Sequence, residues 1–328
     1  MKKKGIWLFV VFVLAFTVTT TATAQSKREA MRERVDSVLR KNYERGSYDT
    51  LYIMRPAEKI TLKVRGNLSG NYVKSKAKVD GTNVTAKLNT DTRATVSLGV
   101  SYMGLAAGVA INPARLSGKN KDYELNLNAY GNRFGLEATY MLSKTLSGDI
   151  NNFHLDKGFL QMSAVMINGY YAFNYRHFSF PAALTQSYIQ KRSAGSWLLG
   201  FSYQGGSIKT TDEAPKEMGE ARIYAGYFAV GGGYGYNFVA KKWLFHLSAQ
   251  PNIIVVKNNN IKMNGEKEKE KFNFPETIIT DRAAVIYNIT PKYFAGTTFV
   301  ANVTLFGDQK DYTRQVRWNG RIFFGYRL

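Results

Sequence analysis

Three histidines, His154, His177 and His246, are the chain's candidates for a general base. A hydrolase of the lipase or deacylase type needs such a base held beside a serine and a carboxylate. Two pairs come near that requirement locally: His154 with Asp156, and His246 with Ser248, which share a face if the segment is a strand. Two-residue proximity is common by chance, so no catalytic residue is expected. The chain has no cysteine and no paired histidines at ligand spacing, so neither a metal site nor a disulfide framework is expected. The run Gly231 to Gly235 departs from a dinucleotide loop at Tyr236 and opens no helix. No cofactor is expected.

The basic residues offer a better constellation. Lys63 and Arg65 lie two apart near the start of the regular sequence, and Arg317, Arg321 and Arg327 share one parity at its end. If those segments are neighbouring strands with these residues turned inward, the five make a basic stripe suited to anionic solutes, as rings of Arg and Lys do in pores. The competing expectation is that they pair with inward carboxylates such as Glu124 and Glu137.

The elements that would position them follow from a period of two. In the final stretch Trp318, Ile322, Phe324, Tyr326 and Leu328 share the parity opposite to the arginines, and only Phe323 breaks the pattern. Period two means a strand with one apolar face. The same rhythm runs through Leu62 and Val64, Val96 to Tyr102, Leu125 to Ala129, Phe134 to Leu142, Trp197 to Tyr203, Trp243 to Ala249 and Tyr293 to Leu305. Apolar-out and polar-in alternation, ending on an aromatic-rich strand, is the pattern of a transmembrane β-barrel.

The N-terminus agrees with export. Lys2, Lys3 and Lys4 precede an apolar run from Ile6 to Phe16, and Ala22-Thr23-Ala24 offers a small-residue cleavage site. Residues 1–24 are therefore expected to be a signal peptide. Residues 25–57 read as a periplasmic arm with a short helix over 26–45, in which Met31, Val35, Val38 and Leu39 fall at helical spacing. Residues 58–328 are the expected barrel.

Tight turns near 102–104, 131–132, 239–242 and 288–292 alternate with long polar connections at 113–122, 143–158, 205–220, 257–274 and 306–311. Short turns face the periplasm and long loops the outside in such barrels. With that rule the strands are 59–70, 82–102, 103–112, 121–130, 132–142, 158–174, 196–206, 221–238, 241–256, 275–288, 292–306 and 312–328, about twelve. The second is overlong, and 82–92 is expected to be loop. Strand counting also isolates His177 to Ser196, which fits neither a clean strand nor a long helix. Its aromatic and polar residues, Phe178, Gln186, Gln190, Arg192 and Ser193 among them, are expected either to fold into the lumen or to form a structured periplasmic turn. Two ordinary strands with an outer turn around Arg192 are the alternative. Tyr102, Tyr130, Tyr140, Tyr170 and Trp243 near strand ends suit interfacial girdles.

The same segment carries a family resemblance. Phe173-Asn174, Phe178-Ser179-Phe180, Ala182-Ala183, Gln186-Ser187 and Gln190 to Ser196 resemble the central motif of domain-of-unknown-function family 4421, from Gram-negative bacteria. Tyr48-Asp49-Thr50 with Tyr52-Ile53, Leu98 to Leu105, Gly232 to Val239 and Gly325-Tyr326-Arg327 are similar to further parts of that family. The resemblance implies an exported, barrel-like protein and no particular activity.

The formal charge of +21, or +18 once Lys2, Lys3 and Lys4 are removed, concerns partners more than fold. An exported chain without a recognised nucleic-acid module is not expected to bind nucleic acid. Outer-membrane lipids, lipopolysaccharide and small anionic solutes are the expected partners, and the barrel is expected to be a monomer. The expected function is a narrow pore, transport accessory or envelope structural protein, not an enzyme. The alternatives are an outer-membrane lipid-modifying enzyme and a secreted soluble β-sandwich.

Overall fold

The computed structural model describes residues 48–328 apart from 59, 80–81, 103–104, 114–121, 217–218, 264–265, 269–274 and 308–311, together with 29–31, 33, 34 and 37. The expected signal peptide lies outside the described residues. Of the expected arm helix, residues 29–31, 33, 34 and 37 are helical and the rest fall outside that set. The chain divides into two units between Ser47 and Tyr48, and the described strands all belong to the second.

In chain order these strands begin with β1 (Ile53–Met54), β2 (Ile60–Val79), β3 (Thr82–Asn89), β4 (Arg93–Tyr102), β5 (Leu105–Ile111) and β6 (Tyr123–Tyr130). They continue as β7 (Phe134–Ser143), β8 (Ser147–Ile150), β9 (Phe153–Leu155), β10 (Leu160–Ala172), β11 (Ile189–Gln190) and β12 (Ala194–Thr210). The last six are β13 (Ala221–Ala240), β14 (Trp243–Met263), β15 (Glu266–Glu268), β16 (Thr277–Asn288), β17 (Tyr293–Gly307) and β18 (Tyr312–Arg327). One short helix, α1 (Phe180–Leu184), precedes β11.

All but β1 and β11 join one 16-stranded antiparallel sheet. Without β3, β8, β9 and β15 it has twelve wall strands, in the order β5-β4-β2-β18-β17-β16-β14-β13-β12-β10-β7-β6. The chain's last wall strand thus lies beside its first, with Arg321 opposite Asn67 and Arg327 opposite Thr61. No ladder joins β5 to β6 among the described residues, but the sheet curls until Arg93 of β4 bonds Glu124 of β6. Side chains from distant wall strands meet inside, as Asn168 of β10 does with Asn302 of β17 at 3.0 Å.

Alternation then sorts the side chains. Trp197, Leu247 and Ile322 are each 69% exposed, whereas their neighbours Ser196 and Ser248 are buried. A continuous outer face of this kind is stable only against lipid, and the ladders of the inner wall strands satisfy their backbone groups on both edges. The fold is an antiparallel transmembrane β-barrel of about twelve strands. At Phe228/Ala229 the β13–β14 register shifts, and the extra residue leaves Val255 and Val256 both exposed. That is the signature of a β-bulge.

Three expectations about connections need correction, the first being 257–274, where β14 runs on to Met263 and pairs with β15. Residues 82–89 are not loop: β3 pairs with the upper part of β2, end to end with β4 on the same edge. Residues 143–158 are not a structureless loop either, because β8 and β9 form a hairpin in which β8 pairs with β3. Leu88, Leu146, Leu155 and Leu160 form a buried cluster there, and its burial stabilises a piece of wall above the short strands β4, β5 and β6. Tyr130 and Tyr170 face the lumen core and not a girdle, while Tyr140 and Trp243 are exposed outside.

Candidate functional site in the lumen

At the end of the barrel that holds the tight turns, residues 173–193 turn inward between β10 and β12. Ser179 caps α1 by accepting a hydrogen bond from the Ala182 N–H, and Pro181 stands in the first turn, where its missing donor costs nothing. Phe178 and Phe180 are fully buried against Tyr130, Tyr170, Ala172 and Leu198. Ala182 and Ala183 rest on Leu244, Ile286, Phe294 and Phe323. Phe323, the residue that broke the alternation of the final strand, is therefore an inward aromatic that seats the helix.

Hydrogen bonds hold the segment from three sides. Gln190 Oε1 accepts from the Ser179 N–H at 3.0 Å and from Asn237 Nδ2 at 2.9 Å, and its Nε2 donates to the carbonyls of His177 and Arg192. Ser193 Oγ accepts from the Val239 N–H. Gln186 occupies the left-handed region with φ 57°, a conformation that costs a non-glycine residue of order 1 kcal/mol and follows the helix as its terminating turn. Lys63 Nζ donates to Thr185 O and to Gln186 Oε1, while the Arg327 guanidinium donates to Gln186 O and, at 2.8 Å, to Pro291 O. Arg192 remains exposed, its guanidinium 5.9 Å from the Tyr52 ring centroid.

The chain just before the barrel joins this assembly. β1 pairs with β11, the Asp49 N–H donates to Arg176 O, and the Lys191 N–H donates to Tyr52 O. Ile53 is fully buried in the process. The segment preceding the first wall strand is thus a strap across the lumen segment.

Above α1 the lumen is filled by polar side chains. Arg282 donates from Nε and Nη2 to the two oxygens of Glu137, each at 2.9 Å, and Tyr130 OH also donates to Glu137. Further along, Glu124 pairs with both Arg93 and Arg317 beside a small polar cavity lined by Ser69, Thr90, Asp91 and Asp122. Gly200, Gly231 and Gly235 present no side chain inward, which leaves room for Gln250, Asn252 and the Phe178 ring. Toward the opposite rim, Lys257 pairs with Glu276 at 3.0 Å under Phe306.

All five residues of the expected stripe lie on the inner face of β2 and β18, but they divide by partner. Lys63 and Arg327 are committed to the lumen segment and Arg317 to Glu124. Among the described residues, no hydrogen bond or ion pair reaches the side chains of Arg65 and Arg321, and Arg65 Nε is buried without an acceptor. Neither the alternation of β7 nor that of β16 shows that Glu137 and Arg282 meet, because the two strands are not neighbours in the wall.

The histidines are equally distinct. His154 is exposed and bonds Asp149 at 2.7 Å with Asp156 at 3.9 Å. His246 is buried, with Nδ1 2.7 Å from Asn237 Oδ1 and Nε2 3.1 Å from Ser248 Oγ. Asn237 Nδ2 is already committed to Ser179 O and Gln190 Oε1, so its Oδ1 accepts the Nδ1 proton and leaves Nε2 as an acceptor for Ser248. That relay has the order of a nucleophile, base and orienting group. It lies inside the wall under the rings of Phe178 and Phe180, whose centroids are 6.0 and 5.2 Å from the imidazole. No face of it is open to a substrate.

Among known proteins, the model of a family described as "Domain of unknown function (DUF4421)" matches residues 47–328. No curated protein matches the chain. Solved structures similar to it include the outer membrane protease OmpT from Escherichia coli, at 7% identity and a TM-score of 0.42, covering 83% of this chain and 97% of that one. The translocator domain of the autotransporter NalP from Neisseria meningitidis matches at 9% identity and a TM-score of 0.33, covering 95% and 100%. OprG from Pseudomonas aeruginosa matches at 11% identity and a TM-score of 0.29, covering 84% and 99%.

Proposed function

The chain belongs to the DUF4421 family, and from that premise we propose that it is an outer-membrane barrel closed at rest, an envelope structural protein or transport accessory and not an open diffusion pore. The observation that carries this reading is the lumen segment 173–193, bonded to both sides of the β2–β18 seam through Lys63 and Arg327. An apolar helix seat and a hydrogen-bonded rim are what a plug needs, since irregular backbone is stable at membrane depth only when protein or a watery cavity surrounds it. In this reading the tight turns face the periplasm, so the plug and its strap are accessible from the periplasmic side. A lipid-modifying enzyme would need its serine and histidine at an outer surface, and Ser248 and His246 point inward.

The test uses the full-length mature chain refolded in detergent. Faster gel migration without boiling reports the folded barrel, and equal mobility would contradict a membrane barrel. In planar bilayers the wild type is expected to show no steady conductance, while Lys63→Ala with Arg327→Ala is expected to produce discrete openings. Large steady conductance from the wild type would refute the closed reading.

A further inference from the structure

We infer that Arg65 and Arg321 form the core of a binding site inside the barrel for a small tetrahedral oxyanion of the phosphate or sulfate class. The two are diagonal neighbours on the inner face, since Arg65 is opposite Phe323 and Arg321 opposite Asn67. Diagonal pairs across an antiparallel ladder stand roughly 7–8 Å apart, within reach of one shared ligand between long side chains. Both remain partly accessible from the lumen.

Unpartnered polar groups surround them, including Asn319 Oδ1 two residues before Arg321. The Arg65 guanidinium lies in the slot left by Gly99, where a Cβ would collide with it, and its Nε is buried without an acceptor. Ser101 Oγ, on the same inner face of β4, is also buried and without a partner. Lys63 stands directly opposite Gly99 on β2. The nearest strand residues that could neutralise this patch are already committed: Glu137 to Arg282 and Tyr130, Glu124 to Arg93 and Arg317. β5, the next strand of the wall, contributes only Leu, Ala, Gly, Val and Ile.

Two guanidiniums held side by side, neither of them bonded to a carboxylate although Glu137 lies within electrostatic reach of Arg321, repel each other in a medium of reduced dielectric, and a bound oxyanion reverses the sign of that interaction. The planar fork of arginine matches the oxygens of phosphate in paired hydrogen bonds, which chloride cannot offer. The site extends the earlier expectation of a five-residue basic stripe by reducing it to the two cations that the fold leaves uncommitted. It goes beyond the closed-barrel reading and survives its failure, because binding is measured in solution and closure in bilayers.

The test follows thermal unfolding of the folded full-length mature chain in a zwitterionic detergent, with inorganic phosphate, sulfate and chloride titrated at constant ionic strength. The expected result is a saturable rise in Tm with phosphate and sulfate and none with chloride. Arg65→Gln and Arg321→Gln are each expected to weaken phosphate binding at least tenfold, on the order of the 1.5–3 kcal/mol of a hydrogen bond to a charged group. Arg222→Gln, on the exposed face of β13, is expected to leave it unchanged. Where a glutamine variant does not fold, Arg→Lys at the same position retains the charge, loses the fork and is expected to abolish the preference for phosphate over chloride. An unsaturable or absent phosphate effect in the wild type, or equal effects in wild type and Arg65 and Arg321 variants, overturns the assignment.

Discussion

Arg282 and Glu137 meet face to face across the lumen through two parallel hydrogen bonds of 2.9 Å, although 145 residues separate them in the chain. The pair joins β16 to β7, strands that are not neighbours in the wall, and so ties opposite sides of the barrel together.

Removing one member leaves the other charge buried and unpaired, which costs about 3–5 kcal/mol. Glu137→Ala and Arg282→Ala are each expected to lower unfolding stability by that amount in detergent denaturation curves. The combined substitution Glu137→Leu with Arg282→Met is expected to cost much less than the sum, because no uncompensated charge remains. Additive losses in the double variant would show that the pair is not coupled.

Phe323 offers a separate test of the lumen segment. Truncating a buried Phe to Ala costs about 3–5 kcal/mol, and here the lost contacts include Ala182 and Ala183 of α1. Phe323→Ala is expected to leave the barrel folded by gel mobility but to loosen residues 173–193. Trypsin then cuts after Lys191 or Arg192, both exposed but held by backbone bonds in the wild type. Unchanged resistance to trypsin in the variant would show that the helix does not depend on this ring.

The β8–β9 hairpin carries a pH signal of its own. The hydrogen bond that His154 Nδ1 donates to Asp149 Oδ1 holds the pKa of His154 above its ordinary 6.5, since the carboxylate favours the imidazolium. A folded-state pKa raised above the unfolded value adds stability that is fully present below the unfolded pKa and is lost as pH rises through the folded one. The side chain is well exposed, so the contribution is local and small. Amide protection factors in β8 and β9, corrected for base-catalysed intrinsic exchange, are expected to be higher at pH 5.5 than at pH 8, and an NMR titration of His154 to lie above 6.5. Asp149→Asn is expected to bring it down, and a wild-type midpoint at or below 6.5 would remove this account.

Much of the wall was legible from alternation alone. Lipid outside and packed polar groups inside impose a strict two-residue period, so Leu98, Leu136 and Ile322 announce their face from sequence. The errors fall where that period stops being informative. Residues 82–89 carry only the small or single apolar residues Val84, Ala86 and Leu88 on one face and read as loop, yet β3 pairs with the upper part of β2, which has no other partner on that edge among the described residues. On β16 the inward Ala284 and Ile286 pack on the lumen segment, which reverses the usual polar-in rule at that height.

What the amino-acid sequence determined by itself was the approximate number of the wall strands, the inward parity of Lys63, Arg65, Arg317, Arg321 and Arg327, and the irregularity of 177–196. These are local properties, set by side-chain polarity over a few residues. Which of the five cations find partners, why Phe323 turns inward and how 48–55 straps the lumen segment were decided only by closure of the sheet. Closure sets the first strand beside the last and β7 across from β16, and contacts between residues so far apart in the chain leave no periodic trace along it.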